Sequence, residues 1–276
     1  MKLTEIYEIA NALAPKRLSD EYCERYEGYD NSGVLVDTGK EIAKILFSLD
    51  FSTSAIERAI EEGAQLIITH HPAIYGKIGS IRASSFDPLS EKLVKAIERG
   101  ISVISMHLNL DMASGGVDES LQGAVVDAAK EACGQKSFTT QTRAQKLWQV
   151  SGGGYGRAYT LPSVKIGELA ENLKKQLRTN RVFVYGDQNG YVDCAASFCG
   201  GGGDVEEVAF AVENGANVMI SSDFKHHALL LAKEKGLAVI QTTHYASENY
   251  GFKNYYKKIR LQVKIPCVYH EDSDLL

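Results

Sequence analysis

Ser54-Ala55-Ile56-Glu57-Arg58-Ala59-Ile60-Glu61-Glu62-Gly63-Ala64-Gln65-Leu66-Ile67-Ile68-Thr69-His70-His71-Pro72 compresses a helix, a stop, a strand and two metal-competent side chains into one stretch. Ser54 and Glu57 have the spacing of a capping box, with Ser54 as the N-cap. Ala55, Ile56, Ala59 and Ile60 share one helical face. Gly63 stops the helix, and Gln65–Thr69 is an apolar run suited to a buried strand. The same order recurs around Gly100 (Leu93–Arg99, then Ile101–Ser105) and around Gly215 (Asp204–Asn214, then Asn217–Ser221). It recurs once more around Gly236 (Leu229–Lys235, then Leu237–Thr242). Helix, glycine and strand in repetition predict an α/β protein with largely parallel sheets.

The copies pair into two halves. Ala59–Ala64 resembles Ala211–Ala216, and Ala96–Gly100 resembles Ala232–Gly236, with a longer loop around Ala73–Asp87 in the first half. This pattern predicts two duplicated, interlinked α/β domains, residues 1–135 and 136–276, with the C-terminal segment packing back on the first. Between them, Arg157–Leu161 and Arg181–Tyr185 read as strands, and Leu169, Leu173 and Leu177 as one helix face. Asp187-Gln188-Asn189-Gly190 reads as a tight hairpin into Tyr191–Phe198.

The 276 residues carry 30 Lys and Arg against 35 Asp and Glu, a net charge of −5. That balance argues against a dedicated nucleic-acid coat, which needs a basic excess or stripe to neutralise phosphates. Five cysteines are scattered without a Cys-x-x-Cys pair. They predict neither a zinc ribbon nor a redox dithiol, but free thiols in a reducing compartment. With no signal-peptide pattern and no long apolar span, the expectation is a cytoplasmic protein without a membrane partner.

The residues that could do chemistry gather after the repeated strands: Thr69-His70-His71-Pro72, His107-Leu108-Asn109-Leu110-Asp111, Asp223-Phe224-Lys225-His226-His227 and His244-Tyr245-Ala246-Ser247-Glu248. Six of the seven histidines lie in these segments, and carboxyl ends of strands are where α/β sheets bind ligands. Imidazole and carboxylate donors suit borderline divalent cations. Adjacent His70 and His71 point in opposite directions if the chain is extended, so the pair serves two neighbouring ions more easily than one. Two such ions usually share a bridging carboxylate, and Asp111 and Glu248 are available. By chance about one His-x-x-x-acid pair is expected. His107 with Asp111 and His244 with Glu248 fall at matching places after their repeat glycines. Lys225 and Asp223 are candidates to touch substrate or to support a ligand. The Cys199-Gly200-Gly201-Gly202-Gly203-Asp204 turn either lets backbone approach a ligand or is a crowded turn; it fits neither the dinucleotide nor the phosphate-loop pattern.

Together with Asp30-Asn31-Ser32-Gly33 and Gly115-Gly116-Val117, these motifs resemble the NIF-three-like family, also described as dinuclear-metal hexameric proteins and as GTP cyclohydrolase type 2 homologues. The resemblance runs in order from about Tyr29 to Gly251. It implies a two-metal site between the two domains and a ring-shaped homohexamer. The implied metal ligands are His70, His71, Asp111, His244 and Glu248. Glu248 would bridge, His71 and Asp111 would complete one site, and His70 and His244 the other. The two ions per chain would be Zn, Mn, Fe, Co or Ni. The implied activity is metal-dependent hydrolysis of a nucleotide-like or heterocyclic small molecule such as GTP, by attack of water at C8 of guanine. His107 and His226 are the candidate proton carriers, and His107 either orients Asp111 or a water, or adds a ligand. The alternative function is a metal-binding hexameric scaffold or regulator with protein or nucleic-acid partners.

Overall fold

The computed structural model describes residues 1–82, 87–144 and 146–276. They form two compact units: Met1–Ala113 with Phe252–Asp272, and Ser114–Gly251 with Ser273–Leu276. Part of the long loop read at Ala73–Asp87, and Gln145 near the expected boundary, lie outside the described residues.

In chain order the first unit contains α1 (Leu3–Leu13), α2 (Arg17–Tyr26), β1 (Gly33–Val36), β2 (Ile45–Ser48), α3 (Thr53–Glu62), β3 (Leu66–Thr69), α4 (Pro88–Glu98), β4 (Ser102–Ser105) and α5 (Leu108–Met112). The second contains α6 (Val117–Ala132), β5 (Thr142–Ala144), β6 (Trp148–Val150), β7 (Gly153–Tyr155), β8 (Arg157–Lys165), α7 (Ile166–Leu177), β9 (Phe183–Tyr185), β10 (Tyr191–Ser197), α8 (Val205–Glu213), β11 (Val218–Ser221), α9 (His226–Glu234) and β12 (Ala238–Gln241). Helix α10 (His244–Arg260) begins in the second unit, and its residues from Phe252 onward belong to the first, as does β13 (Cys267–Tyr269). Helix α6, numbered with the first half in the sequence reading, packs on α7, β8 and β10 of the second unit.

All four helix–glycine–strand copies are present. Their glycines share one left-handed conformation, with φ +65° at Gly63, +68° at Gly100, +72° at Gly215 and +70° at Gly236, where an L side chain is strained. In the first copy the helix starts earlier than the Ser54 reading. Ser52 is the N-cap, its hydroxyl accepting from Ala55 N at 3.0 Å, whereas Ser54 Oγ reaches His270 Nε2 at 3.2 Å.

The first sheet runs β1-β4-β3-β2-β13. β4, β3, β2 and β13 are parallel, and β1 joins antiparallel at the edge. Leu46, Ile67 and Val103 on one face pack with Ile56, Ala59, Leu93 and Ala96 of α3 and α4. Phe47 meets Phe252 and Tyr256 of α10, with ring centroids 6.2 and 5.2 Å away. Cover on both faces explains why β2, β3 and β4 are buried at every position rather than alternating.

The second sheet runs β5-β8-β10-β11-β12-β9. Only β10, β11 and β12 are parallel; β5, β8 and β9 are antiparallel to their neighbours. Both sheets are therefore mixed; the first is largely parallel as expected, and the second, with most of its pairs antiparallel, corrects that expectation. Parallel pairing needs a crossover, and only strands fed by the repeated helices have one on the pattern read. The turn at Asp187–Gly190 closes, with Gly190 N donating to Asp187 O at 3.0 Å. Its flanking strands do not form a hairpin, because β9 pairs with β12 at the far edge of the sheet. Among the described residues all five cysteines are free thiols, and no helix is long and apolar enough to cross a membrane.

Candidate functional site

In the first unit the chain leaves β3 at Thr69, and the backbone N–H groups of His70 and His71 both donate to Leu49 O, at 3.1 and 3.0 Å. Two successive donors converging on one carbonyl break the strand alternation. Both rings therefore turn to the same side, their centroids 5.1 Å apart, in place of the opposed pair that an extended chain would give. His107 follows β4, its backbone N held by Ser32 Oγ at 3.1 Å. Nitrogen atoms of His70, His71 and His107 all lie within 4.8 Å of one another.

Each ring is tied through Nδ1. His70 Nδ1 donates to Met106 O at 2.7 Å, His71 Nδ1 to Asp50 Oδ1 at 2.7 Å, and His107 Nδ1 to Asp30 Oδ1 at 2.8 Å. Burial alone would raise the Asp30 carboxyl pKa, but hydrogen bonds from His107, Ser32 and Ser19 outweigh it and hold the group below its ordinary value. The carboxylate is thus kept ionised as a fixed acceptor. One short helical turn after His107, α5 brings back Asp111, which is 4% exposed, with Oδ1 3.3 Å from His70 Nε2. His70 is thus an imidazole set against Asp111.

In the second unit His244 opens α10 and Glu248 stands one turn on, so the two share a helix face. His244 Nε2 lies 3.1 Å from Glu248 Oε1, and its Nδ1 donates to Asp223 Oδ2 at 2.5 Å. Burial alone would lower the His244 pKa, yet the carboxylates of Glu248 and Asp223 raise it to about 9. An environment that stabilises an imidazolium so strongly favours positive charge at this point. Asp223 adopts φ +54°, a left-handed conformation in which a non-glycine residue is uncommon; there its carboxylate is the acceptor that orients His244.

The glycine turn forms a wall against this pair. Gly200 has φ +60°, and a Cβ there would collide with Glu248 Oε1 and stand 3.1 Å from His244 Nε2. The turn is gripped on several sides. Gly200 N donates to Ser247 Oγ at 2.9 Å, and the Ser222 hydroxyl donates to Gly200 O. Cys199 N donates to Asp118 Oδ1 at 3.3 Å, while the Tyr155 hydroxyl donates to Cys199 O. Asp118 is fully buried, accepts from Gly156 N at 3.1 Å and pairs with Arg157 Nε at 3.0 Å.

Sequence reasoning did not identify Asp50, Asp118, Tyr155 or Arg157. Asp118 adjoins the quoted Gly115-Gly116-Val117 motif, the only signal that pointed near it. Lys225 pairs with Asp204, the N-cap of α8, and His227 Nε2 lies 3.4 Å from the same carboxylate. His226 lines a different space, a cavity of about 720 Å³ that includes Tyr185, Tyr191, Leu230 and Lys233.

The donor chemistry fits divalent cations. His70, His71, His107 and His244 each have Nδ1 committed to an oxygen, which leaves Nε2 to meet a cation, at His244 in exchange for its proton. Buried Asp111 adds a carboxylate oxygen to the imidazoles of the first unit, and buried Glu248 adds one to His244 in the second; nitrogen and oxygen donors of this kind suit zinc, manganese, iron, cobalt or nickel.

The chain is similar to known proteins along nearly its whole length. The family model described as Duf34/NIF3 (NGG1p interacting factor 3) matches residues 1–273. A GTP cyclohydrolase 1 type 2 homolog of Clostridium perfringens is 31% identical over 250 residues, covering 90% of this chain and 87% of that protein. A homolog of the same description from Methanocaldococcus jannaschii is 29% identical over 257 residues, covering 92% of this chain and 93% of that one. Among solved structures, reduced HcgD from Methanocaldococcus jannaschii superposes with a TM-score of 0.74 at 28% identity, covering 98% of this chain and 97% of that one. Staphylococcus aureus protein SA1388 shares the fold, with a TM-score of 0.78 at 21% identity over 100% of this chain and 98% of that one. The ordered ligand motifs and the match along nearly the whole chain make this protein a member of the Duf34/NIF3 family.

Proposed function

We propose that the chain is a metal-dependent hydrolase whose two ligand groups form one dinuclear centre acting on a nucleotide-like or heterocyclic substrate, within a homohexamer. The observation that carries this reading is the common arrangement of the four imidazoles, each held at Nδ1 by an oxygen. Side chains kept merely for packing have no need of a uniform tautomer; metal ligands and a proton carrier do.

In this reading His70 and Asp111 hold one ion, an assignment supported by their 3.3 Å approach. His71 and His244 would hold the second, and Glu248 would be shared between the two. Two neighbouring divalent ions, when bound, lower the pKa of water and stabilise a developing oxyanion. His107, hydrogen-bonded to an ionised Asp30, is the proton carrier, because a carboxylate at Nδ1 supports the imidazolium that forms when Nε2 accepts a proton. Asp50 and Asp223 keep the other imidazoles aimed. The family relationship supports a heterocyclic ring-opening substrate of the kind named in the cyclohydrolase homologues, with GTP the first to try.

The test is product mass analysis after incubating zinc- or manganese-loaded protein with GTP and a nucleotide panel, with Glu248→Gln as control. Ring opening or hydrolysis that disappears in the variant is the expected result. Absence of turnover from wild-type protein carrying two ions per chain would overturn the nucleotide-hydrolase reading and move attention to a scaffolding role.

A further inference from the structure

The segment that follows the His70–His71 pair carries an unusual surface. From Pro72 to Arg82 it contains Lys77 and Arg82 and no acidic residue, in a chain of net charge −5. Tyr75 is 65% exposed, and Ile78 and Ile81 are also exposed. Tyr75 does not stand alone: its ring meets Tyr29 edge to face, with centroids 5.3 Å apart at 83°, and Tyr29 is itself 49% exposed. A perpendicular pair leaves aromatic face available to a third ring.

This pair is fastened to the histidine cluster at both ends. The Tyr29 hydroxyl accepts from Gly76 N at 3.2 Å, and Asn31 Nδ2 donates to Ile74 O at 2.7 Å. Between those two contacts lies Asp30, which holds His107. On the other strand end, Ala73 N donates to Ser105 Oγ at 3.0 Å, two residues beyond His71. Neither tyrosine is needed to fill the core, yet both are held in place beside the residues that carry the candidate chemistry.

We propose that Tyr29 and Tyr75 form a stacking platform for the planar heterocycle of a phosphorylated substrate, with Lys77 and Arg82 meeting its phosphate. The proposal rests on the nucleotide-hydrolase reading and adds to it the residues that recognise the substrate. Stacking on tyrosine accepts any flat base, because every base has a π face. The platform therefore selects a phosphorylated planar ring as a class. Identity within the class is left to contacts at the ring edge.

The platform is tested by equilibrium binding of GMP, guanosine and ribose 5-phosphate to metal-loaded, full-length protein. Tyr75→Ala is expected to weaken GMP and guanosine by about ten-fold or more while leaving ribose 5-phosphate unchanged, and Tyr75→Phe is expected to restore both. Lys77→Ala should weaken GMP and ribose 5-phosphate and leave guanosine unchanged. Equal GMP affinity in wild type and Tyr75→Ala, or no GMP binding by wild type, overturns the platform. The two readings fail separately. Nucleotide turnover with a KM indifferent to Tyr75→Ala removes the platform and leaves the hydrolase. Tyr75-dependent GMP binding without turnover of any nucleotide removes the hydrolase and leaves the platform.

Discussion

The two units orient their candidate ligands by different means. In the first, three imidazoles leave strand ends and are each fixed by their own acceptor: Met106 O, Asp50 and Asp30. In the second, one imidazole and one carboxylate share a helix face, and a glycine turn presses against them. The first arrangement is distributed, so loss of one anchor frees one ring. The second depends on a single piece of backbone, so whatever moves the Cys199–Gly203 turn disturbs His244 and Glu248 together.

The contrast is broken most severely at Asp118. Its carboxylate is fully buried, pairs with Arg157 and holds Cys199 N. Asp118→Ala leaves the buried Arg157 guanidinium with Glu119, 3.6 Å away, as its remaining counter-charge, and is expected to cost about 3 kcal/mol, read by denaturant unfolding. Tyr155→Phe removes only the hydrogen bond to Cys199 O and should cost about 1 kcal/mol, measured the same way. If the turn is the common support, Tyr155→Phe also weakens metal binding, read by calorimetric titration, although Tyr155 touches neither His244 nor Glu248 in any contact described above. Unchanged metal affinity would show that the turn and the ligands are independent.

A matched pair of glycines sharpens the point. Gly63 and Gly200 have nearly the same backbone, φ +65° and +60°. Nothing lies within 4 Å of a Cβ built at Gly63, whereas one at Gly200 meets Glu248. Gly63→Ala is expected to lose only the left-handed penalty, about 1–2 kcal/mol, with metal binding intact. Gly200→Ala should lose more stability and should abolish high-affinity binding by displacing the Glu248 carboxylate. Thermal unfolding with metal titration on both variants separates backbone strain from collision.

The acceptors behind the imidazoles allow a direct comparison of the units. Asp50→Asn, Asp30→Asn and Asp223→Asn each keep the side-chain shape but remove the charge that fixes an Nδ1. Asp50→Asn and Asp223→Asn are each expected to weaken metal affinity by about 10–100-fold, whereas Asp30→Asn, behind the proton carrier His107, should lower turnover and leave metal affinity near that of wild type. Equal affinity in Asp50→Asn, Asp223→Asn and wild type would mean that these two carboxylates do not orient ligands.

What could be read from the sequence was local. The four helix–glycine–strand copies are written in contiguous residues, and so is the grouping of histidines and acids after their strands. The partners of those histidines are not. Asp50 lies 21 residues before His71 and Asp30 lies 77 before His107, and no periodicity links either pair. The side on which His71 points depends on the local path of the chain: alternation holds only where the chain is extended, and here Leu49 O captures two successive N–H groups. The antiparallel strands escaped for a similar reason: β9 pairs with a strand 54 residues away at Val239↔Tyr185, and the turn that seemed to make it a hairpin says nothing about its neighbour.

The start of α3 is the smallest and cleanest case. Ser52 and Ser54 both precede the helical face, and Glu57 made Ser54 the better match to a capping box. The backbone decides for Ser52, whose φ of −91° and ψ of 163° are extended and whose hydroxyl accepts from Ala55 N. Ser54 already lies inside the helix, its hydroxyl toward Ser52 Oγ at 2.8 Å and His270 Nε2. Ser52→Ala is therefore expected to cost about 1 kcal/mol, and Ser54→Ala a fraction of that, since it removes only exposed side-chain contacts. Urea unfolding of the two variants checks the order. A larger loss at Ser54 would place the cap where the sequence pattern put it and would make the His270 contact, which ties α3 to the segment after β13, worth more than the cap itself.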